Sequence, residues 1–131
     1  MKSSLSLLAA GATLIVVVAS GIGTRAQDAL DPRIAAYDKG PATIDISKYP
    51  ADMKEGYKLF AARCGKCHTI ARAINSDFVL EDEWERYVKR MMRKPGSGIS
   101  ANDGKKVYEF LAFDSKTRKK ALYDKRIKGG K

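Results

Sequence analysis

The sequence is poor in the residues from which most catalytic and metal sites are built. Its 131 residues include one histidine and two cysteines. Both cysteines lie within one pentapeptide, so they cannot tie distant segments together as disulfides do in small secreted domains. No strand-like alternation is long enough to build a sheet. No Ser-His-Asp set, paired carboxylate site or phosphate-binding loop is evident, so we do not expect an enzyme.

Acidic residues are absent from the first 26 positions. A basic start, a long apolar stretch and a run of small residues are the pattern of an export signal. We expect cleavage after Ala26, with cleavage near Gly21 as an alternative. An uncleaved membrane anchor is the competing interpretation, because Leu5 to Ile22 approaches the ~20 residues that span a membrane. The mature protein is therefore expected in the periplasm or, if anchored, facing it.

The charge balance is strongly basic, with 25 Lys and Arg against 15 Asp and Glu. Cleavage after Ala26 removes Lys2 and Arg25, which leaves 23 − 15 = +8. A positive field of this size favours an acidic partner or an anionic surface and makes the encounter salt-sensitive. Nucleic acid is the general alternative for a basic protein. Export and the lack of a base-reading motif argue against it.

The pentapeptide Cys64-Gly65-Lys66-Cys67-His68 carries the chemistry. Cys-x-x-Cys-His is the attachment sequence of c-type haem. Each thiol can add to one vinyl group, and the adjacent imidazole becomes the proximal iron ligand. A dithiol redox site usually accompanies a βαβ pattern, which is absent here, and zinc needs four ligands or three plus water. We therefore predict one covalent haem c on Cys64 and Cys67, with His68 on the iron.

The sixth iron position cannot be filled by a second histidine of this chain, because His68 is the only one. The remaining choices are a methionine, a less common side chain or no protein ligand. Met53 precedes the motif on the same predicted helix, which would hold it on the proximal side. Met91 shares the apolar face of a later helix with Trp84, so it is the preferred ligand, with Met92 as the alternative. An open position would instead favour a gas-binding or sensor cytochrome.

Helical periodicity predicts an all-α domain. The predicted helices span about 50–63, 81–93 and 101–113, with a short helical turn at 69–73. Gly56 costs ~1 kcal/mol against alanine inside the first helix, which indicates a close packing contact over that turn. The predicted divisions are a signal peptide (1–26), an irregular N-terminal arm (27–47), a helical domain (48–114) and a basic, partly disordered C-terminal tail (115–131).

Several side chains near the motif have expected roles. Arg63 and Lys66 are predicted to flank the exposed haem edge, where a partner docks. Arg72 has two interpretations, a partner for a haem propionate or a solvated surface arginine. Trp84 and Tyr87 are predicted to pack in the haem pocket without redox chemistry of their own.

The spacing Gly56-x-x-x-Phe60-x-x-x-Cys64 before the haem motif resembles the first helix of class I c-type cytochromes. The resemblance implies that Gly56 and Phe60 pack against an aromatic of the last helix, for which Phe110 is the match. The segment from Trp84 through Met91 to Ser100 is similar to small bacterial monohaem cytochromes. Those proteins serve as electron carriers or as haem subunits of dehydrogenases. The resemblance implies outer-sphere electron transfer by Fe(II)/Fe(III) cycling with an acidic redox partner or a dehydrogenase subunit.

Two features depart from the class I pattern. Many members place a proline after the haem motif, and its carbonyl group orients the proximal histidine. No proline lies between His68 and Pro95, so another acceptor is expected to serve. Many members also carry the axial methionine in a long loop well downstream, whereas Met91 is only 91 − 68 = 23 residues from His68.

Overall fold

The structure, a computed structural model, describes residues 30–130. In chain order its helices are α1 (Pro32–Asp38), α2 (Ala51–Cys64), α3 (Ala71–Ile74), α4 (Glu81–Met92), α5 (Ala101–Thr117) and α6 (Lys120–Gly129). Residues 30–130 contain no strand, which confirms the predicted all-α class. Within this range no helix has the length and apolar character of a membrane span. The predicted signal peptide at 1–26 lies outside the described residues.

Helices α2 and α5 pack closely and form the centre of the core. Gly56 lies where they are nearest, because a Cβ there would be 2.8 Å from the Phe110 Cβ and 3.0 Å from the Lys106 carbonyl oxygen. The rings of Phe60 and Phe110 are fully buried, with centroids 5.7 Å apart. The Tyr57 ring lies 5.4 Å from Phe110. The predicted contact of Gly56 and Phe60 with Phe110 is therefore present, and interhelical packing offsets the cost of a helical glycine.

Helix α4 has clear signals at both ends. Its first turn is acidic and its last turn is basic, which complements the helix macrodipole. The Glu83 carboxylate accepts hydrogen bonds from the backbone N–H groups of Val79 and Leu80, both at 3.0 Å. Beyond the helix, Gly96 and Gly98 have φ angles of +72° and +60°. Glycine adopts this left-handed backbone without a Cβ clash, so the chain can turn towards α5.

The N-terminal arm contains helix α1, so the prediction of an irregular arm is wrong for residues 32–38. The Asp31 carboxylate accepts a hydrogen bond from the Arg33 N–H at 2.8 Å, and a proline occupies the first helical position. Arg72 holds α1 against α3 by donating to both carboxylate oxygens of Asp38, at 3.0 and 2.5 Å. A helix this short is marginal alone and depends on such contacts, which its local sequence does not reveal.

The basic tail is also helical through Gly129, contrary to the prediction of a partly disordered segment. Helix α5 continues to Thr117, and α6 follows after a short break. Acidic residues at the start of α4 bind the cations of this region, with Lys116 paired to Glu81 and Arg126 to Glu83. These partners are distant in sequence, so local composition made the cations look solvated.

The junction of α5 and α6 holds the segment that follows α3. Arg118 donates to the Ile74 carbonyl oxygen at 3.0 Å, and the Lys119 ammonium donates to the Ser76 carbonyl oxygen at 2.6 Å. The ammonium also lies 5.6 Å from the centre of the Trp84 ring, and burial lowers the pKa of Lys119 to about 8. Hydrogen bonds from the α5–α6 junction thus hold one side of the segment between α3 and α4. The other side of this segment lines a cavity.

Candidate functional site

A cavity of about 580 Å³ lies beside the end of α2, the segment after α3 and the last turns of α4. Cofactor sites commonly occupy ~300–1,000 Å³, so this volume is suited to a prosthetic group. The four residues preferred as haem and iron ligands all line it: Cys64, Cys67, His68 and Met91. One continuous space therefore receives groups from the end of α2 and from the far end of α4.

The two thiols differ in their surroundings. Cys64 is the last residue of α2 and is buried, whereas Cys67 lies on the following turn and is exposed. Burial raises the pKa of the Cys64 thiol to about 11. A buried thiol of this kind stays protonated at neutral pH, whereas a redox-active dithiol needs a reactive thiolate. Cys64 itself is therefore unsuited to be the attacking thiolate of a dithiol site.

The orientation of His68 is set by its neighbour. Its Nδ1 lies 3.0 Å from the Thr69 carbonyl oxygen. A carbonyl oxygen only accepts, so Nδ1 carries the proton of this hydrogen bond and the lone pair of Nε2 stays available for a metal. The Thr69 hydroxyl oxygen also accepts a hydrogen bond from the Ala71 N–H at 3.1 Å, which fixes the turn. The Thr69 carbonyl thus supplies the acceptor that a proline carbonyl supplies in many class I cytochromes.

The two adjacent methionines of α4 lie on different sides. Met91 lines the cavity, whereas Met92 lines a separate cavity of about 380 Å³ between α4 and α5. The Met92 sulfur packs against α5, where it would lie 2.5 Å from a Cβ at Gly104. Successive helical residues point ~100° apart, so α4 does not direct both sulfurs into one space. Met53 is not among the residues that line the cavity of about 580 Å³.

The aromatic wall of the cavity contains an unusual polar group. Trp84, which was predicted to pack in the haem pocket, is not among the residues that line this cavity; it is fully buried behind Tyr87, and its Nε1–H donates to the Ser115 hydroxyl oxygen at 2.8 Å. Tyr87 is also buried, but its hydroxyl has no hydrogen-bond partner among the described residues. An unsatisfied buried hydroxyl costs ~1–3 kcal/mol. The cavity therefore suits a bound group that provides a hydrogen-bond acceptor for this hydroxyl. The acceptor can belong to the group itself or to a side chain that the group shifts towards the hydroxyl.

Basic side chains surround the cavity. Three arginines of its wall pair with aspartates: Arg33 with Asp31, Arg63 with Asp103, and Arg72 with Asp38. Arg72 thus binds α1 and is not a freely solvated arginine. Arg90 and Lys94 also line the cavity and form no ion pair within residues 30–130. Lys66 is exposed, but it is not part of the cavity wall.

Part of the cavity wall was missed by sequence reasoning. Ile34 and Tyr37 of α1 line it, as does Phe78 after α3. The arm gives only one local signal for a helix, the sequence Asp31-Pro32, in which a capping residue precedes a proline at the first helical position. Nothing in the local pattern indicates that this helix faces the cavity.

Comparison with known families decides the class of protein. The model of the photosystem P840 reaction-centre cytochrome c-551 family matches residues 6–114. The chain belongs to this cytochrome c-551 family. The match confirms the resemblance to small c-type cytochromes and the expectation of a haem protein of electron transport. A c-type cytochrome of this family holds its haem c covalently, and the thiols and imidazole of this cavity suit that chemistry.

A curated relative supports the same class. A protein named cytochrome c from Chlorobaculum tepidum is 37% identical over 75 residues. The match covers 53% of this cytochrome c-551 chain and 36% of the relative, so the chain spans well under half of that relative's length. No solved structure shows a significant match to the chain.

Proposed function

We propose that this chain is a monohaem cytochrome c that carries single electrons on the periplasmic side of a membrane. One haem is attached to Cys64 and Cys67, His68 is the proximal ligand, and Met91 is the sixth ligand. The observation that carries this proposal is that all four side chains line one cavity, whereas Met92 lies outside it. When bound, the haem supplies the Fe(II)/Fe(III) couple.

The chain's own residues position that couple and shield it from water. Cys64 and Cys67 hold the porphyrin edge, and the Thr69 carbonyl orients the His68 ring through the 3.0 Å hydrogen bond. The buried ring of Tyr87, which lines the cavity and packs against Trp84, excludes water from the α4 side. Exclusion of water and a thioether ligand both favour the less charged Fe(II) state, so we expect a raised reduction potential.

Haem attachment is tested by mass and by haem content. The full chain is expressed with a haem-ligation system, beside the double variant Cys64→Ala, Cys67→Ala. We expect the wild type to gain the mass of one haem and to give a pyridine haemochrome with one haem per chain. The double variant should retain none covalently. Colourless wild-type protein with the mass of bare polypeptide would contradict the proposal.

Export is a separate part of the proposal. The N-terminal apolar stretch supports passage across a membrane. N-terminal sequencing of purified protein distinguishes cleavage after Ala26, cleavage near Gly21 and an uncleaved anchor. Haem-loaded protein recovered only from the cytoplasm would contradict the periplasmic location.

The redox partner is proposed to be an acidic surface of a reaction-centre complex. The family description names the photosystem P840 reaction centre, and this chain carries a formal charge of +10. Arg90 and Lys94 line the cavity without ion pairs within residues 30–130, so they are available to an acidic partner. A dehydrogenase that accepts the chain as its haem subunit is the alternative partner. In either case electron transfer is expected to slow as salt screens the charges.

Charge reversal at the cavity rim tests the docking surface. We expect the double variant Arg90→Glu, Lys94→Glu to transfer electrons to P840 reaction-centre preparations at least ~10-fold more slowly at low salt, because steering of this kind accelerates encounter by ~10–1,000-fold. The matched control, Lys125→Glu with Lys128→Glu, changes the net charge equally on exposed positions of α6. Equal slowing by both variants would show that net charge acts without a docking surface at the rim.

A further inference from the structure

Lys119 is a cation held within the fold at the junction of α5 and α6. Its side chain is only partly exposed, whereas the neighbouring Lys120 is exposed. The Lys119 ammonium donates to the Ser76 carbonyl oxygen at 2.6 Å, and it lies 3.4 and 3.5 Å from the carbonyl oxygens of Phe78 and Ala73. An ammonium has three N–H donors, so these acceptors match it in number. Because carbonyl oxygens have no net charge, they bind the ammonium without neutralising it.

The groups that hold Lys119 belong to the wall of the haem cavity or lie directly behind it. Ser76 and Phe78 line the cavity. The ammonium also lies 5.6 Å from the centre of the Trp84 ring. That ring packs edge-on against Phe78 and against Tyr87, which lines the cavity as well, with both pairs of centroids 5.7 Å apart. One layer of backbone and aromatic rings therefore separates the ammonium from the cavity.

The surroundings of Lys119 disfavour its positive charge. Burial lowers the pKa of Lys119 to about 8, and the Arg118 guanidinium also lowers it. Three carboxylates act in the opposite direction: Asp114 on α5, Asp77 in the segment after α3, and Glu83 on α4. The lowering effects are larger, so this ammonium loses its proton at mildly alkaline pH. An ordinary lysine keeps its proton to about pH 10.

A cation behind the cavity wall acts on the charge of a group inside the cavity. Charges interact more strongly through the protein interior than through water, because the interior has a lower effective dielectric constant. A haem bound in the cavity carries one positive charge fewer as Fe(II) than as Fe(III). The charged form of Lys119 therefore favours Fe(II) and raises the reduction potential, and the neutral amine does so less.

We propose that Lys119 is a positioning residue that fixes the cavity wall through the Ser76 carbonyl and couples electron transfer to the binding of one proton. The inference deepens the proposed function and rests on a haem in this cavity, whichever methionine binds its iron. There is a pH range in which the Fe(III) protein holds the neutral amine and the Fe(II) protein holds the ammonium. In that range, gain of one electron from the redox donor is accompanied by uptake of one proton from water at Lys119 Nζ. Loss of the electron to the acceptor releases the same proton.

Reciprocity gives this coupling two measurable sides. If the charge of Lys119 favours Fe(II), reduction must raise the pKa of Lys119 by the same free energy. The reduction potential should therefore be constant at neutral pH and should fall as pH rises above about 8, where the ammonium loses its proton.

The first test compares Lys119→Met with Lys120→Met in the haem-loaded full chain. Each variant removes one positive charge from adjacent positions, but Lys120 is exposed and pairs with Asp124. We expect Lys119→Met to have a lower reduction potential than the wild type at pH 7 and no fall near pH 8. Lys120→Met should stay close to the wild type at both pH values. An unchanged potential in Lys119→Met at pH 7 would overturn the inference, as would a fall near pH 8 that survives in this variant.

The absorption spectrum of the Fe(III) protein distinguishes this coupling from exchange of an iron ligand. It includes the long-wavelength charge-transfer band expected of methionine-ligated Fe(III) haem. We expect the spectrum to stay unchanged over the pH range in which the potential falls. If the spectrum changes in the same range, ligand exchange accounts for the fall and the inference fails.

A measurement on the unmutated protein covers the case in which Lys119→Met fails to fold. NMR of the isotope-labelled, haem-loaded chain follows the Lys119 side chain as a function of pH in both oxidation states. We expect Lys119 to lose its proton at a higher pH in the Fe(II) protein than in the Fe(III) protein. Equal values in the two states, or titration near the ordinary 10.5 in both, would overturn the inference. A chain that binds no haem contradicts the proposed function itself, whereas equal values in haem-loaded protein contradict this inference alone.

Discussion

The two halves of α2 face very different surroundings. In its middle, Gly56 and Phe60 meet α5 so closely that an added methyl group would lie 2.8 Å from Phe110. At its end, Cys64 borders a cavity of about 580 Å³. Beside the middle of α2, the core is therefore filled by the chain's own side chains. Beside its end, the core leaves a space large enough for a prosthetic group. A domain of this size buries little apolar surface, so filling the cavity should matter greatly for stability.

Removal of the haem attachment should produce the largest effect. It should destabilise the helices around the cavity more than the α2–α5 contact. In the double variant Cys64→Ala, Cys67→Ala, we expect faster amide exchange in α3 and α4, by at least ~10-fold more than in the α2–α5 contact. The reason is that residues around the cavity lose their central packing partner. Hydrogen exchange followed by mass spectrometry measures this difference.

The opposite outcome would be equally informative. Uniform loss of protection across α2, α4 and α5 would show that the two halves unfold as one cooperative unit. Retained protection in α4 would show that its contacts with α5 and α6 stabilise the cavity wall without the haem.

Overpacking the closed half is expected to have the next largest effect. Gly56→Val adds carbon atoms where the Phe110 Cβ and the Lys106 carbonyl oxygen leave no room, and should cost ~1–3 kcal/mol. Ala62→Val adds a similar bulk at an exposed position of α2 and serves as the control. Urea unfolding of the haem-loaded proteins gives the two free energies of unfolding. Helix propensity alone favours Val over Gly at position 56 and disfavours Val relative to Ala at position 62. A loss at Gly56→Val no larger than that at Ala62→Val would therefore contradict the close α2–α5 contact.

The elements that the sequence predicted correctly carry their own start and stop signals. Helix α4 has acidic and basic ends and is followed by Pro95-Gly96, and its apolar period separates Met91 from Met92. Helix α1 has a start signal, Asp31-Pro32, but no basic last turn, and α6 has a basic last turn but no side-chain cap at its start. They depend on ion pairs with residues distant in sequence, such as Arg72 with Asp38 and Arg126 with Glu83. Local sequence patterns do not reveal such contacts. The assignment of the iron ligands stays a prediction.

The two neighbouring methionines of α4 lie in these two kinds of region. Met91 lines the cavity, whereas Met92 packs against α5. Met91→Ala should abolish the charge-transfer band and open the iron to carbon monoxide. Met92→Ala should leave the spectrum unchanged and cost ~1–2 kcal/mol, at or below the low end for methionine truncation, because Met92 is only half-buried. Absorption spectra of the oxidised proteins and of the reduced proteins with carbon monoxide distinguish the variants. Loss of the band in Met92→Ala, but not in Met91→Ala, would reverse the ligand assignment.

The smallest effect concerns α1, which covers part of the open half. The Arg72 guanidinium beside Asp38 lowers the pKa of that carboxyl group below its ordinary value of 3.8. Stability from this pair is therefore present above the unfolded-state pKa and is lost as pH falls through the lower folded-state value. Both side chains are nearly a quarter exposed, so the pair should contribute about 1 kcal/mol or less.

Asp38→Asn isolates this contribution, because it should release α1 from α3 at neutral pH while leaving the α2–α5 contact intact. We expect lower amide protection in α1 at pH 7, with exchange rates corrected for their intrinsic pH dependence, and a smaller further loss on acidification than in the wild type, in which Asp38 protonates as well as the Asp31 cap. Asp82→Asn is the control, since it removes an exposed pair with Arg86 on α4, away from the cavity. In the wild type, amide protection in α1 should fall below the ordinary carboxyl pKa, ahead of the protection in α2. If α1 and α2 instead lose protection together on acidification, α1 is an integral part of the core and not a separable cover of the cavity.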